Sequence, residues 1–377
     1  TSRLYDPGLE GLSDPSWETQ HLRTTTAFLT GWGRVPMGGW GSLLAGIDYY
    51  LDVVDASGTL QSMTGSDLHV DELERPALPD GAMGHSLEPH VMLEIKATSA
   101  LRLSLGSRFW YHRLEPGAGV PTRDLVGGSG LISGNLAMGS MASIVLNLSY
   151  GTRPPTMYEV AGSVCAPVSQ VPSPGLDPEG ALGAELGLKW NAGFLEGSLF
   201  YGFSMLDHAV VPVGTGLPDH CGMSEPVRYS NSGMAWIHSI EFENRVNLLG
   251  FMTIGTVLGW YHGTMDGTGI SDRGPMPWIP PLMGTAFVRV SYPRQYLWGD
   301  VRLRFAIAQD RLPAGYSPSE SEDDPFFLLS VRGGVALGGS IRLFLAFENL
   351  LNQVHRWYGS SLDGQGRSVL VGIEGHL

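Results

Sequence analysis

The side chains able to do chemistry are few and do not converge on a reaction. There is no Gly-x-Ser-x-Gly elbow, no His-Glu-x-x-His pair and no phosphate-binding loop, so a serine nucleophile, a zincin site and a nucleotide cradle all lack their spacing. His208 and His262, with Met63, Met83 and Met265, offer donors suited to a metal chelate, copper or haem. They lack fixed ligand spacing, however, and neither a resident metal nor a cofactor is expected. Arg102, Arg108, Trp110 and His112 recur at even positions, and Glu241, Glu243 and Arg245 at odd ones. Each set therefore shares one face of an extended segment, where charges of both signs either pair with one another or touch a substrate. Arg153 stands before two prolines and either contacts a ligand or fixes the turn into a loop. Cys165 and Cys221 lie in Pro/Gly-rich polar stretches, which suits an oxidising compartment and a loop-to-loop disulfide. The formal charge of -14 excludes a nucleic-acid partner, because a phosphate backbone needs a basic surface.

The elements that must position these groups alternate with period two. Ile341, Leu343, Leu345 and Phe347 oppose Arg342 and Glu348; Val301, Leu303, Phe305 and Ile307 oppose Arg302 and Arg304; Val369, Val371 and Ile373 oppose Glu374. The 52 glycines and only 16% charged residues fit strands and turns better than helices. No apolar run is long enough for a transmembrane helix.

A soluble sandwich and a membrane barrel both give alternating strands, and two features favour the barrel. Many segments run well beyond the roughly 5 to 6 residues of globular strands. Connections also alternate between short ones, as at 36–39, 139–140 and 191–193, and long ones, as at 57–82, 153–179 and 311–325. Short periplasmic turns and long outer loops require that asymmetry. Aromatic pairs such as Trp110-Tyr111, Trp260-Tyr261 and Trp357-Tyr358 fall near strand ends, where interfacial girdles sit. By parity the Arg102 and Glu241 sets face the lumen. His238 falls on the lipid face, so it either lies near the interface or marks a one-residue slip of register.

The pattern gives about fifteen strands, an odd number where single-chain bacterial barrels are even. Counting back from a last strand that ends on the short-turn side places residues 1–20 in an external loop and the barrel portion at 21–377. An open sheet edge cannot face lipid, so further strands are expected on another chain or fragment, and the N-terminus, which lacks a signal peptide, is expected to be a processed or cut end.

Several stretches resemble the C-terminal barrel of TonB-dependent receptors. Gly151-Thr152-Arg153-Pro154-Pro155-Thr156-Met157-Tyr158-Glu159 is similar to the family's G-F-R-A-P-x-x-x-E stretch, and Leu176-Asp177-Pro178-Glu179 with Glu185, Gly187 and Lys189 to L-K-P-E … E-x-G-x-K. Tyr229-Ser230-Asn231-Ser232-Gly233 with Ile237 and Glu241 follows Y-x-N-x-G-x-A-x-I-x-G-x-E, although Ser239 replaces a glycine; Glu348-Asn349-Leu350-Leu351-Asn352 and Gly366-Arg367 resemble motifs before the last strand, which ends on Leu377 in place of Phe or Trp. Their order and spacing, over roughly residues 40 to 377, carry the likeness. Family barrels have 22 strands, so about seven strands and the plug would lie elsewhere.

The resemblance implies an all-β transmembrane antiparallel barrel, about 15 strands of a 22-stranded wall, in the outer membrane of a Gram-negative bacterium. It implies a non-enzymatic receptor for a siderophore, metal complex, vitamin or glycan. Ligand contacts would come from Arg108, Trp110, His112, Arg153, His208 and His262, and plug contacts from Arg102, Glu241, Glu243 and Arg245. The implied partners are membrane lipid, the N-terminal strands and plug, and TonB through that plug. The alternative is a scaffold subunit of an outer-membrane assembly that has lost transport and binds other outer-membrane proteins.

Overall fold

The computed structural model describes residues 2–5, 16–64, 67–72, 78–162, 170–216, 226–231, 233–266, 273–292, 296–313, 324–337, 340–360 and 362–375. The strands are β1 (Ser2–Tyr5), β2 (Ser16–Pro36), β3 (Gly41–Thr64), β4 (Asp67–Glu72), β5 (Met83–Lys96), β6 (Leu101–Glu115), β7 (Arg123–Met138), β8 (Ala142–Arg153), β9 (Glu179–Asn191) and β10 (Leu195–Asp207). They continue as β11 (Val210–Gly214), β12 (Val227–Asn231), β13 (Ala235–Leu248), β14 (Met252–Asp266), β15 (Arg273–Pro275), β16 (Met283–Tyr292), β17 (Leu297–Ala306), β18 (Phe326–Leu337), β19 (Ile341–Glu348) and β20 (Ser368–Gly375). One five-residue helix, α1 (Met157–Ala161), interrupts them.

Among the described residues eighteen strands form one antiparallel sheet, and β11 and β12 form a separate hairpin. Of the eighteen, β1, β4 and β15 are short extensions at the long-loop ends of β2, β3 and β14, which leaves fifteen wall strands, each paired with its neighbour along the chain. Strand pairing begins earlier than the alternation indicated: Ser2–Tyr5 pair with Ser16–Thr19, inside the stretch expected as loop. Among the described residues β1 pairs only with β2 and β20 only with β19, so the wall is open.

The register fixes two faces. One row runs across the wall through Leu103, Gly134, Leu146, Leu186, Tyr201, Ile240 and Trp260, and the adjoining row through Arg102, Asn135, Val145, Gly187, Phe200, Glu241 and Gly259. In the first row Leu146, Leu186, Tyr201 and Ile240 are 42–54% exposed. A contiguous apolar surface of that kind is stable against hydrocarbon and would drive association in water. The second row is the inner face. There Gly187 is required by close approach, since a Cβ would stand 2.1 Å from the Phe200 ring that covers it.

A wall one sheet thick leaves no central core. Among the described residues the buried apolar clusters are small and sit at the long-loop ends: Trp110, Leu114, Leu125 and Val160 in one; Val54, Ala56 and Ala82 in another; Ala209, Ala235 and Met265 in a third; Ala306, Phe326 and Leu328 in a fourth. At the opposite ends the turns are tight and use left-handed glycines at Gly139, Gly193 and Gly250.

Candidate functional site

Alternation on β2, β3, β5 and β6 places Thr30, Asp48, Ser86, Glu88, His90, Arg108 and His112 on the inner face, where they form a network. Asp48 accepts from Thr30 Oγ1 at 2.5 Å and from Arg108 Nη2 at 3.2 Å. Arg108 Nη1 donates to Glu88 at 2.6 Å, and Glu88 also accepts from Ser86 Oγ at 2.6 Å. Ser86 Oγ lies 2.9 Å from His112 Nε2, and His90 Nδ1 lies 3.4 Å from Asp48. Arg108 thus separates two carboxylates, one of them buried. Arg108→Ala should cost about 1–2 kcal/mol, because hydrogen bonds to charge are strong but this guanidinium is partly screened by water. Arg108→Lys should recover only part of that, since a point charge cannot fork between two acids. The unfolding midpoint in lipid measures both.

Further round the wall the charges segregate. Glu185, Glu196, Glu241 and Glu243 line β9, β10 and β13 with Lys189 and Arg245, whereas Arg289, Arg302, Arg304 and Arg332 line β16, β17 and β18 with Asp300, and Glu348 on β19. Arg245 pairs with Glu196 at 2.9 Å, and Tyr261 donates to Glu241 at 2.9 Å. Asp300 is buried and stands directly across from Arg289 and Arg332.

The mouth above the network is roofed from within. Thr156 caps α1: its hydroxyl accepts from the Glu159 amide at 3.2 Å, and the Glu159 carboxylate accepts from the Thr156 amide at 2.7 Å. Arg153 bridges Glu159 at 3.0 Å and Glu179 at 3.2 Å, tying α1 to the start of β9. Val160, 1% exposed, packs on Trp110, Leu114 and Leu125, which are inward side chains of β6 and β7. Met157 reaches both this cluster and the one on β3. The β11–β12 hairpin braces the following segment: the Val171 amide donates to the Val227 carbonyl at 2.9 Å, the Tyr229 amide to Ser173 Oγ at 3.0 Å, and Asn231 exchanges hydrogen bonds with the Asp177 backbone. Arg123 holds the carbonyls of Pro174 and Leu176. Below this roof a recess of about 570 Å³ is lined by Met92, Gly106, Arg108, Ser129, Ser149 and Gly183, small side chains that leave room beside Arg108.

Burial works to raise the Glu159 pKa, but hydrogen bonds from Arg153 and Thr156, with the Arg153 charge, outweigh it and hold the pKa below the usual carboxylate value. A carboxyl depressed in the folded state adds stability above its unfolded pKa and loses it as pH falls through the folded one. α1 is therefore expected to loosen below the ordinary carboxylate range, and Glu159→Gln to remove that step. Protease cleavage between residues 154 and 178, followed against pH, checks it.

Of the residues singled out in the sequence, the fold brings Arg108 and His112 into one network and Trp110 and Arg153 beneath and beside α1. Trp110 is buried, its Nε1 donating to the Thr152 carbonyl at 3.1 Å, so it supports the roof. Arg102, Glu241, Glu243 and Arg245 face inward. His208 stands apart between β10 and β11, exposed, with φ 54° and Asp207 at 3.0 Å. His262 lies on the outer face, opposite His238, away from the Arg108 network. His238 therefore faces outward with no slip of register. Cys165 and Cys221 lie outside the described residues. Sequence reasoning missed Asp48, Ser86 and Glu88, although the same parity that placed Arg108 would have found them.

A protein-family model described as TonB dependent receptor-like, beta-barrel, matches residues 3–350. The chain belongs to the TonB-dependent receptor β-barrel family. Solved structures similar to this receptor barrel include a copper transporter, OprC, at TM-score 0.77 and 16% identity over 96% of this chain and 58% of that one. They also include a double mutant of the Serratia marcescens hemophore receptor HasR in complex with its hemophore HasA and heme, at 0.71 and 16% over 96% and 60%. The FrpB iron transporter from Neisseria meningitidis matches at 0.64 and 13% over 96% and 64%. At such identities the likeness is one of fold. The receptor barrel spans 58–64% of the length of these structures. No curated protein sequence matches it.

Proposed function

We propose that this chain forms the wall and part of the outer mouth of an outer-membrane receptor for a scarce nutrient, a siderophore, metal complex, vitamin or glycan. The observation that carries the reading is α1, folded inward onto Trp110, which shares the inner face of β6 with Arg108, so that loop and wall meet on the same side of the sheet. A ligand caught by the long loops would meet Arg153, His208 and the recess beside Arg108 and His112. A plug would occupy the charged inner wall, with Arg102, Glu241, Glu243 and Arg245 among its contacts, and TonB would act through that plug. Structures of the same fold are described as copper and iron transporters and as a receptor bound to ferripyoverdine, which favours a metal or metal complex as cargo.

A strain lacking the protein is expected to lose growth when one nutrient is limiting, tested in turn with iron, copper, haem, cobalamin and an oligosaccharide, and loss of TonB should give the same defect. Normal growth under every limitation would overturn uptake and leave the scaffold role.

A further inference from the structure

We propose that the outer face of β10, β13 and β14, at its long-loop end, is a binding site for the phosphate headgroup of an anionic membrane lipid. Four rings adjoin there: His238 lies 5.2 Å from Phe203 and 6.5 Å from His262, and His262 lies 5.9 Å from Trp260. Tyr201 Oη is 2.8 Å from His238 Nδ1. Two guanidinium groups border the rings. Arg311 donates from Nη1 to His262 Nδ1 at 2.8 Å and from Nη2 to the Gly263 carbonyl at 3.3 Å. Arg273 stacks 3.7 Å over Trp236, the outward neighbour of His238 on β13.

Two imidazoles and two arginines on a lipid-facing wall are costly in hydrocarbon, so this level is that of the headgroups, where aromatic rings also collect. The donors there are not used up. Because His262 Nδ1 accepts from Arg311, its proton is on Nε2, which remains free to donate. Arg311 has no carboxylate partner among the described residues, and Arg273 meets Asp266 only through Nε, at 3.1 Å. Among the described residues the carboxylates nearby are Asp266, held by Arg273 and the Met234 amide, and exposed Asp310. A space of about 70 Å³ opens beside Trp260, His262, Ile279, Pro280 and Arg311. Toward the short-turn end the same face continues as Ile240, Phe242 and Leu258, an apolar track for acyl chains. Cations and N–H donors above an apolar track fit a phosphate that carries net negative charge and is joined to a lipid, and they fit a choline-masked headgroup poorly.

The test uses the intact protein extracted from its own membrane with any strands or plug that accompany it, delipidated and analysed by native mass spectrometry in mixed micelles. Phosphatidylglycerol should be retained over phosphatidylcholine, and Arg273→Gln with Arg311→Gln should lower its retention about fivefold for each arginine lost. Arg332→Gln, on the inner face, should leave retention unchanged. Equal retention of the two lipids, indifference to the outer arginines, or displacement of phosphatidylglycerol by glycerol phosphate alone would overturn the proposal. If the double variant loses the gel mobility of a folded barrel, Arg311→Gln alone is read. Lipid retention and nutrient-limited growth are scored separately, so either reading can fail without the other.

Discussion

Val160→Asp should free the inward roof while leaving the wall intact. Val160 is enclosed by Trp110, Leu114 and Leu125, with no cation among them to pair a carboxylate. An unpaired charge placed there costs about 3–5 kcal/mol, more than the local contacts of a five-residue helix can offset. The segment from 154 to 178 should become cleavable by protease, ligand binding should fall, and the gel mobility of the folded wall should persist. Val160→Ala, which removes two methyl groups, should cost about 1–2 kcal/mol and loosen the roof only partly. A Val160→Asp protein whose roof stays as resistant as the native one would show that α1 does not depend on this cluster.

Arginine introduced at Ile132 and at Asn135 should give opposite results three residues apart on β7. Ile132 is 55% exposed on the outer face at mid-strand, opposite Leu148 and Leu105. A charge at that depth costs about 2–4 kcal/mol against lipid. Asn135 is exposed on the inner face, opposite Arg102 and Val145, and an arginine there enters water beside other lumen side chains. Its effect should stay within about 0.5 kcal/mol, as for an ordinary surface change. Unfolding titrations in vesicles compare the two. Equal losses would mean that the faces have been assigned wrongly.

The wall was legible because a strand that faces lipid on one side and water on the other has to alternate. Arg102, Arg108, Trp110 and His112 were placed inward by parity alone, and the strand ends near Pro36, Gly139 and Asn191 fell where short turns occur. What parity cannot give is which inward groups meet. Asp48 and Arg108 are 60 positions apart and lie on different strands, so their contact depends on the register of β3, β5 and β6 together. The capping box of Thr156 and Glu159 can be read in the sequence, but the packing of Val160 on Trp110 belongs to tertiary structure. Residue type alone makes His262 a candidate ligand donor, whereas its even number on β14, shared with Trp260, puts it on the outer face.

The wall strands are unequal in length: β2 has 21 residues and β20 has eight. Among the described residues β1 covers Ser16–Thr19, and β2 still offers residues 20–36 along its other edge, about twice what β20 offers on the other side. Any segment that bridges the two edges is gripped by a long zipper on one flank and a short one on the other. Under pulling force or heat such a barrel should part first around β19 and β20, the two eight-residue wall strands, so unzipping has a preferred starting region built into its outline.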